Sequence, residues 1–531
     1  MKIIKELLKN ERFWLILTLL IGIILRFWKI DTRSYLSYDQ SRDFIIIKRI
    51  IVDHKLTLVG PTVSIAPGFY LPPFYYYSLA PFLYLFKFHI VGPDIYTAMF
   101  GVASIYLFYA LVRKLFGVVP ALISTFSFAV NPYLVQASRH AWNPNTIIFY
   151  ILLFILASYK YKFEGKRKYL LLASFSLSWA IGLHLTAVVF VPVIIYLFII
   201  ELKKNGLNKI PLLSLLSFST VFVPLFLFDL RHNFPILKAG LFFLRGQRSE
   251  SFFHVYFQRL QLLFTDLVKV PIVLLTGLFQ SQNLTVRPSN ITNFGEINIL
   301  QNLSAFGLIK IVFSLITLLA IVFCLFNLRK TNIKVALYIC LLFFLGNLIR
   351  LLFPPNYFFF YYYLSLFPVI FLLLSLAIFV LFQRKKILGE IFCSVVILLS
   401  IFSLFPKGIQ AEVKSEDYFL PACEIIAKDY NPKTKIVIAN NLADKTRWEH
   451  NGLEYRYFLE SIYKIQLGDW ETNDYINADI LYFIDEGDLK DPLSFGGMEV
   501  EAFKPTKIEK TWKVETGQKI YKMTRYTTSP S

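Results

Sequence analysis

Six clusters of lysine and arginine interrupt the apolar first 405 residues, and each falls where a membrane-spanning chain must return to one face of the bilayer. They are Lys2, Lys5, Lys9 and Arg12; Arg113 and Lys114; Lys160, Lys162, Lys166, Arg167 and Lys168; Lys203, Lys204 and Lys209; Arg329, Lys330 and Lys334; and Arg384, Lys385 and Lys386. Cytoplasmic loops of membrane proteins are enriched in such residues, so all six are expected on the inner side. Between them, apolar runs of about 17 to 25 residues, the length a bilayer core demands, predict eleven spans. These lie near residues 13–30, 94–112, 116–135, 146–161, 169–184, 185–202, 211–228, 303–328, 333–353, 356–382 and 387–405. The expected fold is an α-helical polytopic membrane protein with its amino terminus in the cytoplasm and its tail outside, embedded in the cytoplasmic (plasma) membrane.

The run at residues 72–88 decides this orientation. Counting it as a span would turn five of the six basic clusters outward, so it is read as a juxtamembrane or re-entrant helix, in keeping with Pro81 and its many tyrosines. Residues 268–279 are read in the same way. Composition agrees: 56% of residues are hydrophobic and only 17% charged. The net charge of +20 is uneven, because the chain from Lys407 holds 17 Lys and Arg against 21 Asp and Glu, leaving +24 on the first 406 residues. Those charges are scattered between apolar runs and form no continuous stripe, which argues against a nucleic-acid partner. The four cysteines offer no disulfide framework.

The expected domains are therefore a membrane domain, residues 1–406, with outer loops at 31–93 and 229–302, and an extracytoplasmic α/β domain, residues 407–531. The tail alternates an amphipathic stretch at 416–429, a strand at 434–440, a helix at 444–463, a strand at 478–485 and a hairpin at 497–525. A domain of that size can hold its own core.

Chemistry concentrates in the first outer loop, at Ser37-Tyr38-Asp39-Gln40-Ser41-Arg42-Asp43. In the helix that follows, Phe44, Ile47 and Ile51 share one face while Lys48, Arg49, Asp53, His54 and Lys55 lie towards the other, as in an interfacial helix. Asp39, just outside the membrane, can take a proton from a hydroxyl. On the residues alone the simpler reading is that Asp39 or Ser41 caps this helix.

With YDQSRD followed by a helix and then YLPPFYYY at residues 70–77, the chain resembles the GT-C glycosyltransferases, specifically the polyprenyl-phosphate-sugar branch with the protein O-mannosyltransferases and the lipid A aminoarabinose transferases. The resemblance extends over about residues 10–400 through the turn RKLFG at 113–117, the segment from Asn131-Pro132 to Arg139, and PPNYFFFYYYLSLFPVI at 354–370. It implies a GT-C-like membrane domain that moves a sugar, with inversion, from a polyprenyl-phosphate donor to an acceptor hydroxyl of a glycan, lipid or protein on the outer face. Asp39 would be the general base. Arg42, Asp43, His54, Lys55, Arg139, His140 and Asn143 are the candidates for binding substrate or the departing phosphate, Arg139 foremost among the cations.

The chain departs from its relatives in three places. Gln40 stands where many carry Glu, Leu71 precedes Pro72-Pro73 where many carry His, and Asn143 or Asn145 stands where many carry an acid. Amides are poorer ligands for hard cations than carboxylates, so no obligatory metal or other cofactor is expected, although a divalent ion stays open. His184 could line the cavity or be structural, and Asp229, Arg231 and His232 could either act in the second loop or cap the seventh span. The aromatics at 75–77 and 358–363 suit either an isoprenoid groove or an interfacial belt, and Asn283, Asn290 and Asn302 each head an Asn-x-Ser/Thr triplet. The rival readings are a transporter or flippase of lipid-linked glycans, a scaffold with an outer binding domain, and a ligase or polymerase using diphosphate-linked glycans. No internal repeat favours the transporter.

Overall fold

The computed structural model describes residues 9–63, 68–246, 252–276, 305–326, 333–353, 358–403, 415–442, 450–487 and 489–525. Residues 283, 290 and 302, which head the Asn-x-Ser/Thr triplets, lie outside them.

The chain divides into two compact units. The first comprises Met1–Ile30, Thr57–Tyr75 and Asp94–Ala411; the second comprises Asp31–Leu56, Tyr76–Pro93 and Glu412–Ser531. Two segments of the stretch 31–93 thus fold with the tail.

The first unit is helical, and its helices coincide with the apolar runs. Among the described residues seven are long and apolar enough to cross a membrane: Glu11–Thr32, Val91–Phe116, Asn143–Glu164, Leu185–Asn205, Leu308–Phe326, Ile333–Leu352 and Phe367–Arg384. An eighth exists if Lys209–Ser219 and Val223–Arg231, bent by 60°, form one broken span. By length and composition the chain is a multi-pass membrane protein, with fewer full-length spans among the described residues than the eleven expected from hydropathy. Local chemistry shortens two of the expected runs. The run at 116–135 is cut to Val118–Val130 by Gly117, which sits at φ +90°, and by Asn131-Pro132, where proline has no amide hydrogen to continue the helix. Tyr169–Leu183 ends at His184, which is extended. Residues 268–279 are not a separate juxtamembrane piece: up to Thr276 they continue one helix, Phe252–Thr276.

Inside this unit the helices meet through aromatic rings and small residues. Phe108 stacks on Phe128 with centroids 4.7 Å apart, and Phe371 closes edge-on against Phe128 at 5.2 Å. A side chain on Gly101 would collide with Ser138, so the 91–116 helix depends on this glycine to approach the turn after residue 137.

The second unit holds a four-stranded sheet of order β1-β2-β4-β3, from β1 (Ile436–Asn441), β2 (Ile480–Asp485), β3 (Lys507–Lys513) and β4 (Lys519–Thr524). β1 and β2 are parallel, in register from Ile436 opposite Ile480 to Asn441 opposite Asp485. Both are buried almost throughout, as central parallel strands are. The pairs β2–β4 and β3–β4 are antiparallel. Val437, Ala439, Leu481, Phe483, Val500, Phe503 and Met523 form the core. Helices Glu416–Asp429 and Leu453–Ser461 belong to this unit, as does the helix Tyr38–Val52.

Candidate functional site

Ser37 starts the loop helix, and a capping box forms in which the Gln40 side chain accepts the Ser37 amide hydrogen at 3.0 Å. Glu and Gln both serve at this position of a capping box. The cap also answers the question left open for Asp39: Ser37 and Gln40 satisfy the helix start, and Asp39 takes no part. Ser41 turns its hydroxyl back to the Ser37 carbonyl at 2.7 Å.

One turn on, Arg42 ties two acids together. Its Nη1 donates to Asp39 Oδ1 at 3.2 Å, while Nε and Nη2 both reach Asp43 Oδ1, at 3.0 and 2.8 Å. The Tyr76 hydroxyl donates to the same Asp43 oxygen at 2.9 Å. The Asp43 side chain is 2% exposed and that of Asp39 40%, so Asp39 is the acid that can meet another molecule. Burial lifts the Asp43 carboxyl to about 6 against the opposing pull of Arg42. Burial alone would lower the Arg42 guanidinium, but Asp43 and Asp39 more than reverse this and hold it charged. Two acids and one cation leave a net negative charge at an exposed carboxylate anchored by a buried one.

In this arrangement Asp43 is enclosed, and Arg42 is engaged by both acids. His54 and Lys55 are exposed beyond the other end of the helix, about 20 Å from Asp39 at 1.5 Å per residue. The helix is not interfacial either: Phe44, Ile45, Ile47 and Ile50 are buried, each contributing about 1.5–3 kcal/mol. Tyr76 was missed as a partner because YYY read only as an aromatic run.

The turn at residues 138–145, in the first unit, is a structural corner. Arg139 donates to the carbonyls of Leu25 at 2.8 Å, Arg26 at 3.1 Å and Trp28 at 2.9 Å, capping the first span where helical carbonyls lack partners. His140 is buried, which depresses its pKa to about 3, so it is neutral at physiological pH and offers a phosphate no charge. The Asn143 amide donates to Leu183 O at 2.6 Å, and Asn145 to His140 O. Buried Asp94 accepts the Ala141 amide hydrogen at 2.7 Å, a support that the sequence did not single out. Arg139→Ala is therefore expected to destabilise the protein by about 1.5–3 kcal/mol, read as a lower Tm. Arg139→Lys should not restore it, because an ammonium cannot reproduce the fork of a guanidinium.

A second buried polar cluster lies in the same unit. Tyr363 donates to Asp266 Oδ2 at 2.7 Å, and Arg350 Nε lies 3.7 Å from that oxygen with its guanidinium over the Phe358 ring. Arg259 donates to Leu351 O at 3.0 Å, and Lys269 lies within the field of Asp266. The signal for it was charge inside apolar helices, which membrane proteins keep mainly for function. Phe358 and Tyr363 at this cluster are buried, as are Phe360 and Tyr362. Asp229 accepts the amides of Ile236 and Leu237, so it caps the Pro235–Gly246 helix. His184 bonds Thr186 and packs on Tyr361 and Tyr362. Among the described residues no group of three or more His, Cys, Asp or Glu is placed to hold a metal ion.

Residues 71–228 match the model of the dolichyl-phosphate-mannose-protein mannosyltransferase family. Among solved structures, the chain is similar to ArnT from Cupriavidus metallidurans bound to undecaprenyl phosphate, with a TM-score of 0.54 and 12% identity over 96% of this chain and 98% of that one. The oligosaccharyltransferase of Archaeoglobus fulgidus, tethered to an acceptor peptide, aligns at a TM-score of 0.48 and 12% identity, over 96% of this chain and 73% of that one. Among curated protein sequences nothing matches.

Proposed function

We propose that this chain, a member of the GT-C superfamily, transfers one sugar from a polyprenyl-phosphate carrier to an acceptor hydroxyl on the outer face of the cytoplasmic membrane. The observation that carries the reading is the exposed Asp39 carboxylate, free of capping and fixed by Arg42 to buried Asp43. The undecaprenyl phosphate bound by the ArnT neighbour supports a carrier of that class.

In the proposed reaction Asp39 takes the proton of the acceptor hydroxyl as its oxygen bonds to the anomeric carbon. The bond from that carbon to the phosphate oxygen breaks, its electron pair leaves with the polyprenyl phosphate, and a single displacement inverts the configuration. Arg42 holds the carboxylate in place, and positioning of this kind is a large part of catalysis. Charge on the leaving phosphate needs cations in a dry setting. The proposal includes no obligatory metal, since the second outer turn offers the amides of Asn143 and Asn145 instead of carboxylates.

Donor class is the direct test. Purified protein in lipid should consume polyprenyl-phosphate sugars and leave nucleotide sugars untouched; consumption of nucleotide sugars alone would overturn the reading.

The buried acid adds a pH signature. Below about pH 6 Asp43 takes up a proton and loosens its hold on Arg42, so kcat should fall on that limb. Asp43→Asn should flatten the limb and lower kcat at neutral pH about 10- to 100-fold, the worth of a charged hydrogen bond. Because the folded pKa stands above the unfolded value of about 3.9, ionised Asp43 opposes folding, and stability declines as pH rises from about 4 through 6.

A further inference from the structure

The geometry points to the tail as the scaffold that sets the Asp39 helix, with Glu460 and Asp469 as positioning residues; the inference rests on the sugar-transfer reading above. Within the second unit, helix Leu453–Ser461 lies beside helix Tyr38–Val52, and their contacts rise together in residue number. Asn451 donates to the Tyr38 hydroxyl at 3.4 Å beside the first turn, next to Asp39. Midway, the Tyr457 ring packs on Phe44 at 5.6 Å. At the far end Lys48 and Arg49 lie 3.7 and 3.6 Å from Glu460, and Arg49 pairs with Asp469 while its guanidinium covers the Trp470 ring at 5.6 Å.

The tail also grips the other outer-loop segment of the unit. Tyr457 donates its hydroxyl to Phe88 O, and Glu416 accepts the Ile90 amide at 2.6 Å and meets His89 at 2.8 Å. A helix of 15 residues is marginal alone in water. Its buried face and its two cations at Glu460 and Asp469 supply the partners that fix its rotation and its slide, and through them the place of Asp39. A misplacement of about 1 Å can cost a reaction about 100-fold.

The test is charge reversal in the full-length protein in lipid, followed by amide hydrogen exchange over residues 38–52 and by kcat and KM with polyprenyl-phosphate sugar. Arg49→Asp sets three acids together and should raise exchange in the helix and lower kcat about 10- to 100-fold at unchanged donor KM. The double variant Arg49→Asp/Asp469→Arg restores opposite charges and should recover both. Wild-type exchange and kcat in Arg49→Asp would overturn the inference, as would a double variant that recovers exchange but not kcat. Should Arg49→Asp not fold, Arg49→Gln carries the same expectations in weaker form, and wild-type exchange and kcat in it would overturn them. Asp39→Asn run alongside separates the two readings: if it turns over like wild type, the base mechanism fails, whereas exchange over residues 38–52 still decides whether the tail holds the helix.

Discussion

Asp39→Asn is expected to lower kcat about 10²- to 10⁴-fold, the range that a positioned general base contributes, and to leave the fold intact. Asparagine has the shape of aspartate and keeps an oxygen for Arg42 Nη1. The helix start does not depend on it, because Ser37 and Gln40 form the capping box. Lost turnover with an unchanged Tm would thus report the chemistry of the carboxylate. A variant within a few-fold of wild type would remove Asp39 from the mechanism.

Arg42→Leu should have the other large effect, of a different kind. It strands the Asp43 carboxylate, 2% exposed, without its cation. Removing one partner of a buried ion pair costs about 3–5 kcal/mol, whereas replacing both by apolar groups is often neutral. The double variant Arg42→Leu/Asp43→Leu should therefore regain most of the lost stability, measured by thermal unfolding, and still fail to transfer sugar because Asp39 has lost its anchor. Recovered turnover in that double variant would show that Arg42 serves only the fold.

The helical runs were legible because a bilayer demands length and apolarity, and that demand is written residue by residue. The strands at 436–441 and 480–485 were legible for a related reason, since buried parallel strands read as short apolar runs. Hydropathy could not show where a run breaks: Gly117 and Asn131-Pro132 shorten one predicted span through backbone geometry, to which a hydropathy window is blind. Asp39 stood out by position and resemblance. Its support did not, because Asp43 meets Tyr76 across 33 residues of chain, and a hydrogen bond at that separation leaves no periodic trace. The surroundings of Arg139 and His140 were not legible for one reason: sequence records charge type but not environment. Four backbone carbonyls occupy the one, and burial neutralises the other. The amphipathic face of the loop helix was read correctly as a pattern and assigned to lipid, although a protein face such as Tyr457 satisfies it as well.

The most direct measurement of the central claim is transfer of label from a panel of radiolabelled polyprenyl-phosphate sugars, in membranes containing wild type or Asp39→Asn. The account predicts that one donor is consumed, that its sugar appears in an acceptor, and that Asp39→Asn lacks this transfer at equal expression. Consumption of no donor, or equal consumption by both proteins, would contradict it.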